Sequence, residues 1–374
     1  MAAVSDAQQP KAAALDYVRA IAPYQAGKPI EELAREHGLA PESIVKLASN
    51  ENPLGMPESA RAAIARAAEL ARYPDANGFE LKAALAAKYR VPAEWITLGN
   101  GSNDVLELAA ATVLAPGRSA VYAQYSFAVY ALATQARGAR AIVVPARDYG
   151  HDLEAMAAAI AADTGIVFIA NPNNPTGTFL THERIAAFLA RVPRHVLVVL
   201  DEAYNEYLPP ELRFDSTAWV RAYPNLLVVR TFSKAFGLAG LRVGYGIAQA
   251  ELTDLLNRVR QPFNVNTLAQ AAAVAALQDE AFVARSYDLN RSGMAELCTA
   301  CERLRLPYVP SFGNFLLIKV GRAARVYEEL LKRGVIVRPV ANYGLPEWLR
   351  VTVGLPHENA AFLRALEPAL AAAS

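Results

Sequence analysis

Ile166-Val167-Phe168-Ile169-Ala170 runs into Asn171-Pro172-Asn173-Asn174-Pro175-Thr176-Gly177, and, after a stretch holding Ala186, Ala187 and Ala190, Val196-Leu197-Val198-Val199-Leu200 runs into Asp201-Glu202-Ala203-Tyr204. Short β-branched apolar runs separated by alanine-rich helical segments are the pattern of βαβ units feeding a parallel sheet. The same alternation extends from about residue 60 to residue 259, with further candidate strands at 95–98, 119–122, 141–144, 226–230 and 243–247. The expected fold class is α/β, a large domain with a mostly parallel sheet flanked by helices. In such open sheets ligands collect beyond the carboxyl ends of the strands, so chemistry is sought just after each run.

After Gln261 a polar, proline-containing linker leads to helices at 267–277 and 281–304, and then the pattern changes. Strands at 315–320, 335–337 and 349–353 around a helix at 326–333 read as a smaller α+β domain. The segment before Asn50 has no core of its own. It is expected to pack on this second unit or to reach across to a partner chain. The expected division is an N-terminal arm at 1–49, the large domain at 50–265 and the small domain at 266–374.

The chain of 374 residues is 53% hydrophobic and 20% charged, and 37 Lys+Arg against 36 Asp+Glu leave a net charge of +1. That balance excludes a strongly basic nucleic-acid surface and argues against disorder. No apolar run is long enough to span a bilayer, and residues 1–11, with Asp6, Gln8 and Gln9, lack the apolar stretch of a secretory signal. A soluble cytoplasmic protein is expected. Cys298 and Cys301 form a lone Cys-x-x-Cys pair, open to a redox or metal reading, but the apolar spacing around them is that of an amphipathic helix, on which they pack side by side. The histidines (His37, His151, His182, His195, His357) are scattered. No metal site is expected.

Four strand ends carry polar residues that packing does not demand. Gly99-Asn100-Gly101-Ser102-Asn103-Asp104 precedes a helical pattern, and open N–H groups with a helix dipole there suit a phosphate. The same sequence also reads as a routine helix start. The loop Asn171 to Gly177 is locked by two prolines and a glycine; it either holds Asn174 at a fixed distance from a ligand or is only a rigid turn. Asp201, directly at the end of a buried run, needs a partner because an unpaired charge there is costly. A cationic ring nitrogen would serve, and so would a role as a cap for the next segment. Finally, Thr231-Phe232-Ser233-Lys234-Ala235-Phe236-Gly237 is followed by Gly240-Leu241-Arg242-Val243-Gly244. A lysine among small and aromatic residues is expected to be desolvated toward the neutral amine that a Schiff base requires. Ser233 and Arg242 supply a hydroxyl and a guanidinium for the same phosphate. One ligand asks for all four strand ends: pyridoxal 5'-phosphate needs a phosphate cradle, a lysine for its aldehyde, an anion beside its pyridinium nitrogen and donors for its phenolate oxygen.

The sequence resembles the aspartate-aminotransferase-like, fold type I pyridoxal-phosphate enzymes, and within them the histidinol-phosphate aminotransferases. The resemblance runs from Pro23-Tyr24-Gln25-Ala26-Gly27-Lys28-Pro29 through Leu47-Ala48-Ser49-Asn50-Glu51-Asn52-Pro53-Leu54-Gly55, Arg72-Tyr73-Pro74-Asp75 and the Asn-Asn-Pro-Thr-Gly loop to Leu349-Arg350-Val351-Thr352-Val353-Gly354. It implies Lys234 as the Schiff-base lysine, Asp201 at the ring nitrogen, and Tyr204 and Asn174 at the phenolate oxygen. It assigns Ser102, Asn103, Ser233 and Arg242 to the phosphate, with Tyr73 reaching the neighbouring subunit's cofactor. Tyr24, Asn52, Arg338 and Arg350 are the candidates for substrate. Where many relatives stack a tyrosine on the cofactor ring, this chain aligns Phe127 in Gln124-Tyr125-Ser126-Phe127-Ala128-Val129-Tyr130, keeping the stacking face and losing the hydroxyl.

The resemblance further implies a homodimer with shared sites that moves an amino group from a small-molecule amine donor to a 2-oxo acid. The favoured pair is L-histidinol phosphate and 2-oxoglutarate, giving imidazole acetol phosphate and L-glutamate in histidine biosynthesis. An aromatic amino acid aminotransferase of the same family is the nearer alternative, and a non-catalytic regulator of the same fold the remoter one. A regulator would carry a fused DNA-binding segment, for which residues 1–49 are too few and too little basic. A decarboxylase on the same cofactor is a lesser alternative.

Overall fold

The computed structural model describes residues 13–24, 26–67 and 69–373. The reading of residues 1–11 as no secretory signal lies outside them. Seven strands form the large sheet: β1 (Ile96–Gly99), β2 (Ser119–Ala123), β3 (Arg140–Val144), β4 (Thr164–Ala170), β5 (Leu197–Asp201), β6 (Leu226–Thr231) and β7 (Gly244–Ile247). Their order is β1-β7-β6-β5-β4-β2-β3. The pairings of β2 with β3 and β4, of β4 with β5 and of β5 with β6 are parallel, and β7 runs antiparallel to β1 and β6. Each strand lies within a residue or two of its expected position; in β4, β5 and β6 the cause is a Val/Ile/Leu-rich run buried on both faces, while the edge strand β3 is largely exposed. Val167, Val198 and Val228 point into one apolar layer, and Ile166, Val199 and Leu227 into the other.

Because β7 is reversed, the residues that precede it arrive at the same sheet edge as the residues that follow β1, β4, β5 and β6. Arg242 is thereby brought beside Ser233 and Gly101. Periodicity along the chain does not reveal this reversal, since a buried antiparallel strand and a buried parallel one read alike.

The helix Thr267–Gln278 starts on Asn266, whose side chain accepts from the Ala269 N–H. It buries Ala269, Ala272, Ala273 and Ala276 in the core of the large sheet, packing against the helices Glu58–Arg66 and Phe79–Tyr89. The core of the large sheet thus extends through Leu277, and Val283 of the next helix still packs against it. The next helix, Glu280–Arg303, leaves toward the small unit, where β8 (Tyr308–Val309), β9 (Phe315–Lys319), β10 (Arg338–Pro339) and β11 (Trp348–Thr352) form an antiparallel sheet in the order β10-β11-β9-β8. Leu316, Val351, Val326, Leu330, Phe362 and Leu366 close its core with the helices Ala323–Lys332 and Pro356–Ala373. Cys298 and Cys301 are free thiols on Glu280–Arg303, and Cys301 is buried in that core.

Residues 30–48 dock on the small unit, whereas Asp16–Arg19 packs on the large-unit helix Ala128–Ala136. Val45–Lys46 pairs in parallel with Val335–Ile336, and Leu33, Ile44 and Ala48 pack on Leu331 and Ile336. Among the described residues no helix is long and apolar enough to cross a membrane.

Candidate active site

A cavity of about 290 Å³ opens where the carboxyl edge of the large sheet meets the small unit. Its anionic-ligand end is built from β1, β6 and β7. The helix Ser102–Val113 begins at Gly101 without a side-chain cap, so its first N–H groups are open toward the cavity. Gly101 has φ 82°, and a Cβ there would run into the guanidinium of Arg242. Only glycine lets the helix start and the arginine approach so closely. Arg242 Nη1 donates to Ser233 Oγ at 3.2 Å, which joins the β7 side of the cradle to the β6 side. Ser102, Asn103, Ser233 and Arg242 all line this end. Donors surround it, and no carboxylate pairs with Arg242 among the described residues.

Asp201, the last residue of β5, and Glu202, which follows it directly, point to opposite faces of the sheet, as successive residues in extended backbone do. Glu202 is paired with buried Arg230 at 2.8 Å and accepts from Ser216 Oγ at 2.7 Å. Among the described residues Asp201 receives only neutral donors, Tyr130 O–H at 2.9 Å and Ala203 N–H at 3.2 Å. Burial pushes its carboxyl up to about 6, against the pull of those two donors. A buried carboxylate without a cation, opening on a cavity, is a seat for a cationic group.

Lys234 follows β6 and lies across the cavity floor, where its Nζ donates to Ser49 O at 3.0 Å and sits 5.8 Å from the centre of the Tyr204 ring. Burial, with Arg350 and Arg242 nearby, brings its ammonium down to about 8 despite the opposing Glu51 and Asp201. A neutral amine is thus accessible near neutral pH. Tyr204 O–H accepts from Asn50 Nδ2 at 2.9 Å, and burial holds its phenol up at about 12. It keeps its own proton to donate to a ligand.

The opposite wall carries two arginines from the small unit, Arg338 on β10 and Arg350 on β11, which face each other across the ladder. Arg350 is buried; it donates from Nη1 to Asn174 Oδ1 at 2.6 Å and from Nη2 to Ala48 O at 2.8 Å, while its Nε has no hydrogen-bond partner among the described residues. A buried guanidinium held only by neutral acceptors is set for an anion. The same contact orients Asn174, leaving its Nδ2 hydrogens for a ligand. Gly177, at φ 79°, closes that loop against the small unit, where a Cβ would run into Ser311 Oγ. Tyr24 borders the entrance, half exposed, with its ring under Arg338 at 5.5 Å.

The family model of aminotransferase class I and II matches residues 42–366. The chain belongs to the class I and II aminotransferases. It is 70% identical over 360 residues to histidinol-phosphate aminotransferase 1 of Cupriavidus pinatubonensis, covering 95% of this chain and 96% of that protein. To histidinol-phosphate aminotransferase 2 of Ralstonia nicotianae it is 69% identical over 363 residues, covering 96% and 97%. The crystal structure of histidinol-phosphate aminotransferase from Sinorhizobium meliloti in complex with pyridoxal-5'-phosphate superposes with a TM-score of 0.88 at 27% identity, over 96% of this chain and 98% of that one. The fold is that of the fold type I enzymes.

In this aminotransferase two of the residues expected at the site lie outside the cavity. Asn52 donates from Nδ2 to Ala235 O at 2.9 Å and to Ser286 Oγ at 2.8 Å, and its Oδ1 accepts from Leu54 N–H at 3.0 Å. With both Nδ2 hydrogens donated inside the protein, Asn52 ties the Lys234 turn to the helix Glu280–Arg303. Tyr73 is 81% exposed and stacks on Phe263 at 4.6 Å, away from its own chain's cavity.

Three residues at the site are absent from the expectations. Asn50, at φ 56°, is buried in the cavity wall and joins Tyr204 to Thr352, whose hydroxyl donates to Asn50 Oδ1 at 3.0 Å. Tyr343 lines the wall beside the arginines. Tyr130 holds Asp201. Only Tyr130 left a local trace, since a residue three positions after Phe127 at a helix start shares its face.

Proposed function

We propose that this aminotransferase exchanges the amino group of L-histidinol phosphate with 2-oxoglutarate, giving imidazole acetol phosphate and L-glutamate, with pyridoxal 5'-phosphate as cofactor. The observation that carries the reading is a single cavity holding Lys234, the cation-free Asp201 and two separate clusters of anion donors. One cluster, Ser102, Asn103, Ser233 and Arg242, suits the cofactor's phosphate. The other, Arg338 and Arg350 with Tyr24, suits the substrate's phosphate or the second carboxylate of 2-oxoglutarate, because a guanidinium fork pairs with either. The names of the relatives at 69–70% identity support the choice of substrate.

The fit to the cofactor rests on the unsatisfied groups just described: Asp201 lacks a cation, and Arg242 and the helix start lack an anion. When bound, the cofactor supplies an aldehyde for the amino group and a cationic ring that draws electrons from the adjoining carbon. Phe127, at the start of the helix Ala128–Ala136 that follows β2, offers a flat apolar face, and Tyr204 and Asn174 offer donors for the phenolate oxygen. Lys234 Nζ anchors the cofactor at rest. Displaced as a neutral amine, it takes the proton from the amine-bearing carbon of the donor and delivers it on the other side of the transfer. Asp201 stays charged beside the ring nitrogen and keeps the proton on it. Both substrates use the cavity in turn, so ping-pong kinetics follow.

Half-reactions test the substrate. Absorbance changes of the holoenzyme are expected with histidinol phosphate and with glutamate, and are expected to be slow or absent with phenylalanine. A fast response to phenylalanine with none to histidinol phosphate would replace this reading by an aromatic amino acid aminotransferase.

The active form in this reading is a cytoplasmic C2 homodimer in which Tyr73 of the partner subunit reaches the phosphate end of each site. The exposed Tyr73–Phe263 stack supports it, since a stacked aromatic pair left in water is a natural contact for a second copy. The unpaired thiols suit a reducing compartment. Mixing inactive Lys234→Ala with inactive Tyr73→Ala chains is expected to restore activity, because a heterodimer holds one site with both lesions and one with neither. Random exchange then gives roughly a quarter of the wild-type sites. Verified exchange with no recovered activity would rule out shared sites.

A further inference from the structure

The geometry points to Tyr130 as the positioning residue of this site: its hydroxyl fixes the carboxylate of Asp201, and its ring sets the plane of Phe127. The inference rests on the cofactor reading above and extends it to a residue that lines no part of the cavity. Tyr130 is fully buried in the first turn of the helix Ala128–Ala136. Its ring stacks on Phe168 of β4 at 4.7 Å and 7°, and stands perpendicular to Phe127 at 5.9 Å and 89°. Thr134 O–H donates to its carbonyl at 2.7 Å. These contacts leave the ring one position, and from it the hydroxyl donates to Asp201 Oδ2 at 2.9 Å while Ala203 N–H takes Oδ1. Both carboxylate oxygens are therefore aimed by rigid neighbours.

The choice of a neutral donor matters. An arginine or lysine in this place would neutralise Asp201, as Arg230 neutralises Glu202 on the opposite face, and would leave little charge for a ring nitrogen. A tyrosine orients the carboxylate and leaves its charge in place. Burial raises the Tyr130 phenol well above its usual range, so it remains a donor. One side chain thus couples the anion at the end of β5 to the stacking face after β2. Phe127 and Tyr130 belong to the same turn, with Tyr130 N–H donating to Phe127 O at 3.0 Å.

Tyr130→Phe keeps the ring and removes only the hydroxyl; Tyr130→Leu removes both. For Tyr130→Phe the expected results are an apoprotein melting temperature near that of the wild type and a turnover about 10- to 100-fold lower, the worth of one hydrogen bond to a charged group. KM is expected to be unchanged for either substrate. With ¹⁵N-labelled pyridoxal 5'-phosphate, the ring-nitrogen resonance should move toward that of the unprotonated ring. Tyr130→Leu should in addition bind the cofactor more weakly than Tyr130→Phe, as Phe127 loses its support. A Tyr130→Phe enzyme with wild-type turnover and ¹⁵N shift would overturn the inference while leaving the cofactor reading intact, and so would losses that follow the melting temperature alone. A wild-type chain that takes up no pyridoxal 5'-phosphate would overturn both.

Discussion

Lys234→Ala is expected to abolish steady-state transamination, a fall of roughly four orders of magnitude or more, while the chain still folds and binds the cofactor noncovalently. The substitution removes an acid/base catalyst worth about 10²–10⁴ and the amine that anchors the cofactor. No other lysine lines the cavity among the described residues, so nothing there can take its place. Folding is expected to survive because the site is not at ease with Lys234. Its pKa falls from 10.5 to about 8 on folding, chiefly by burial, so below pH 8 the folded state holds a charge that it disfavours. That penalty is fully present below pH 8 and disappears as the pH rises toward 10.5. At neutral pH the Lys234→Ala apoprotein should therefore melt no earlier than the wild type. Borohydride reduction and peptide mapping of the wild-type holoenzyme should place the cofactor on Lys234. A label on Lys46 or Lys82 would sink the assignment.

Asp201→Asn is expected to lower turnover by several orders of magnitude with a far smaller loss of cofactor binding. Each tenfold loss corresponds to about 1.4 kcal/mol of transition-state stabilisation, and what is removed is the charge that keeps the ring nitrogen protonated. Packing should be preserved, since the amide is nearly isosteric and its oxygen can still accept from Tyr130. The pH dependence of stability provides a second check. The Asp201 carboxyl rises from 3.8 unfolded to about 6 folded, so the group favours folding when protonated, below pH 4, and that contribution is lost as the pH rises through 6. Asp201→Asn should accordingly stabilise the apoprotein above pH 6, by about 1–3 kcal/mol less roughly 1 kcal/mol for the weakened Ala203 contact. The difference should close below pH 4. Near-normal turnover in the variant would reduce Asp201 to a structural cap.

Taken alone, the sequence determined the layers of the large unit and the residue types at its edge. Short Val-rich runs such as Val196 to Leu200, too short for a helix and bounded by turn residues, read as strands covered on both faces, and the Gly, Asn and Pro clusters that follow such runs mark where the chain turns. These signals are local, and so the strand ends carrying Ser102, Asn174, Asp201 and Lys234 are legible in the chain itself. Resemblance supplied the small-unit arginines, which periodicity would have left as ordinary strand residues. The tertiary structure decided which groups meet. The reversal of β7 sets Arg242 beside Ser233 and Gly101, and long-range packing places Asn50 against Tyr204 and Thr352 while turning Asn52 away toward Ala235 and Ser286. It also separates two adjacent carboxylates into different roles, giving Glu202 to Arg230 and leaving Asp201 with Tyr130. Such pairings join residues far apart in the chain, and they arise because every buried polar group must find its partner within the folded molecule, where composition and spacing carry no record of the distance.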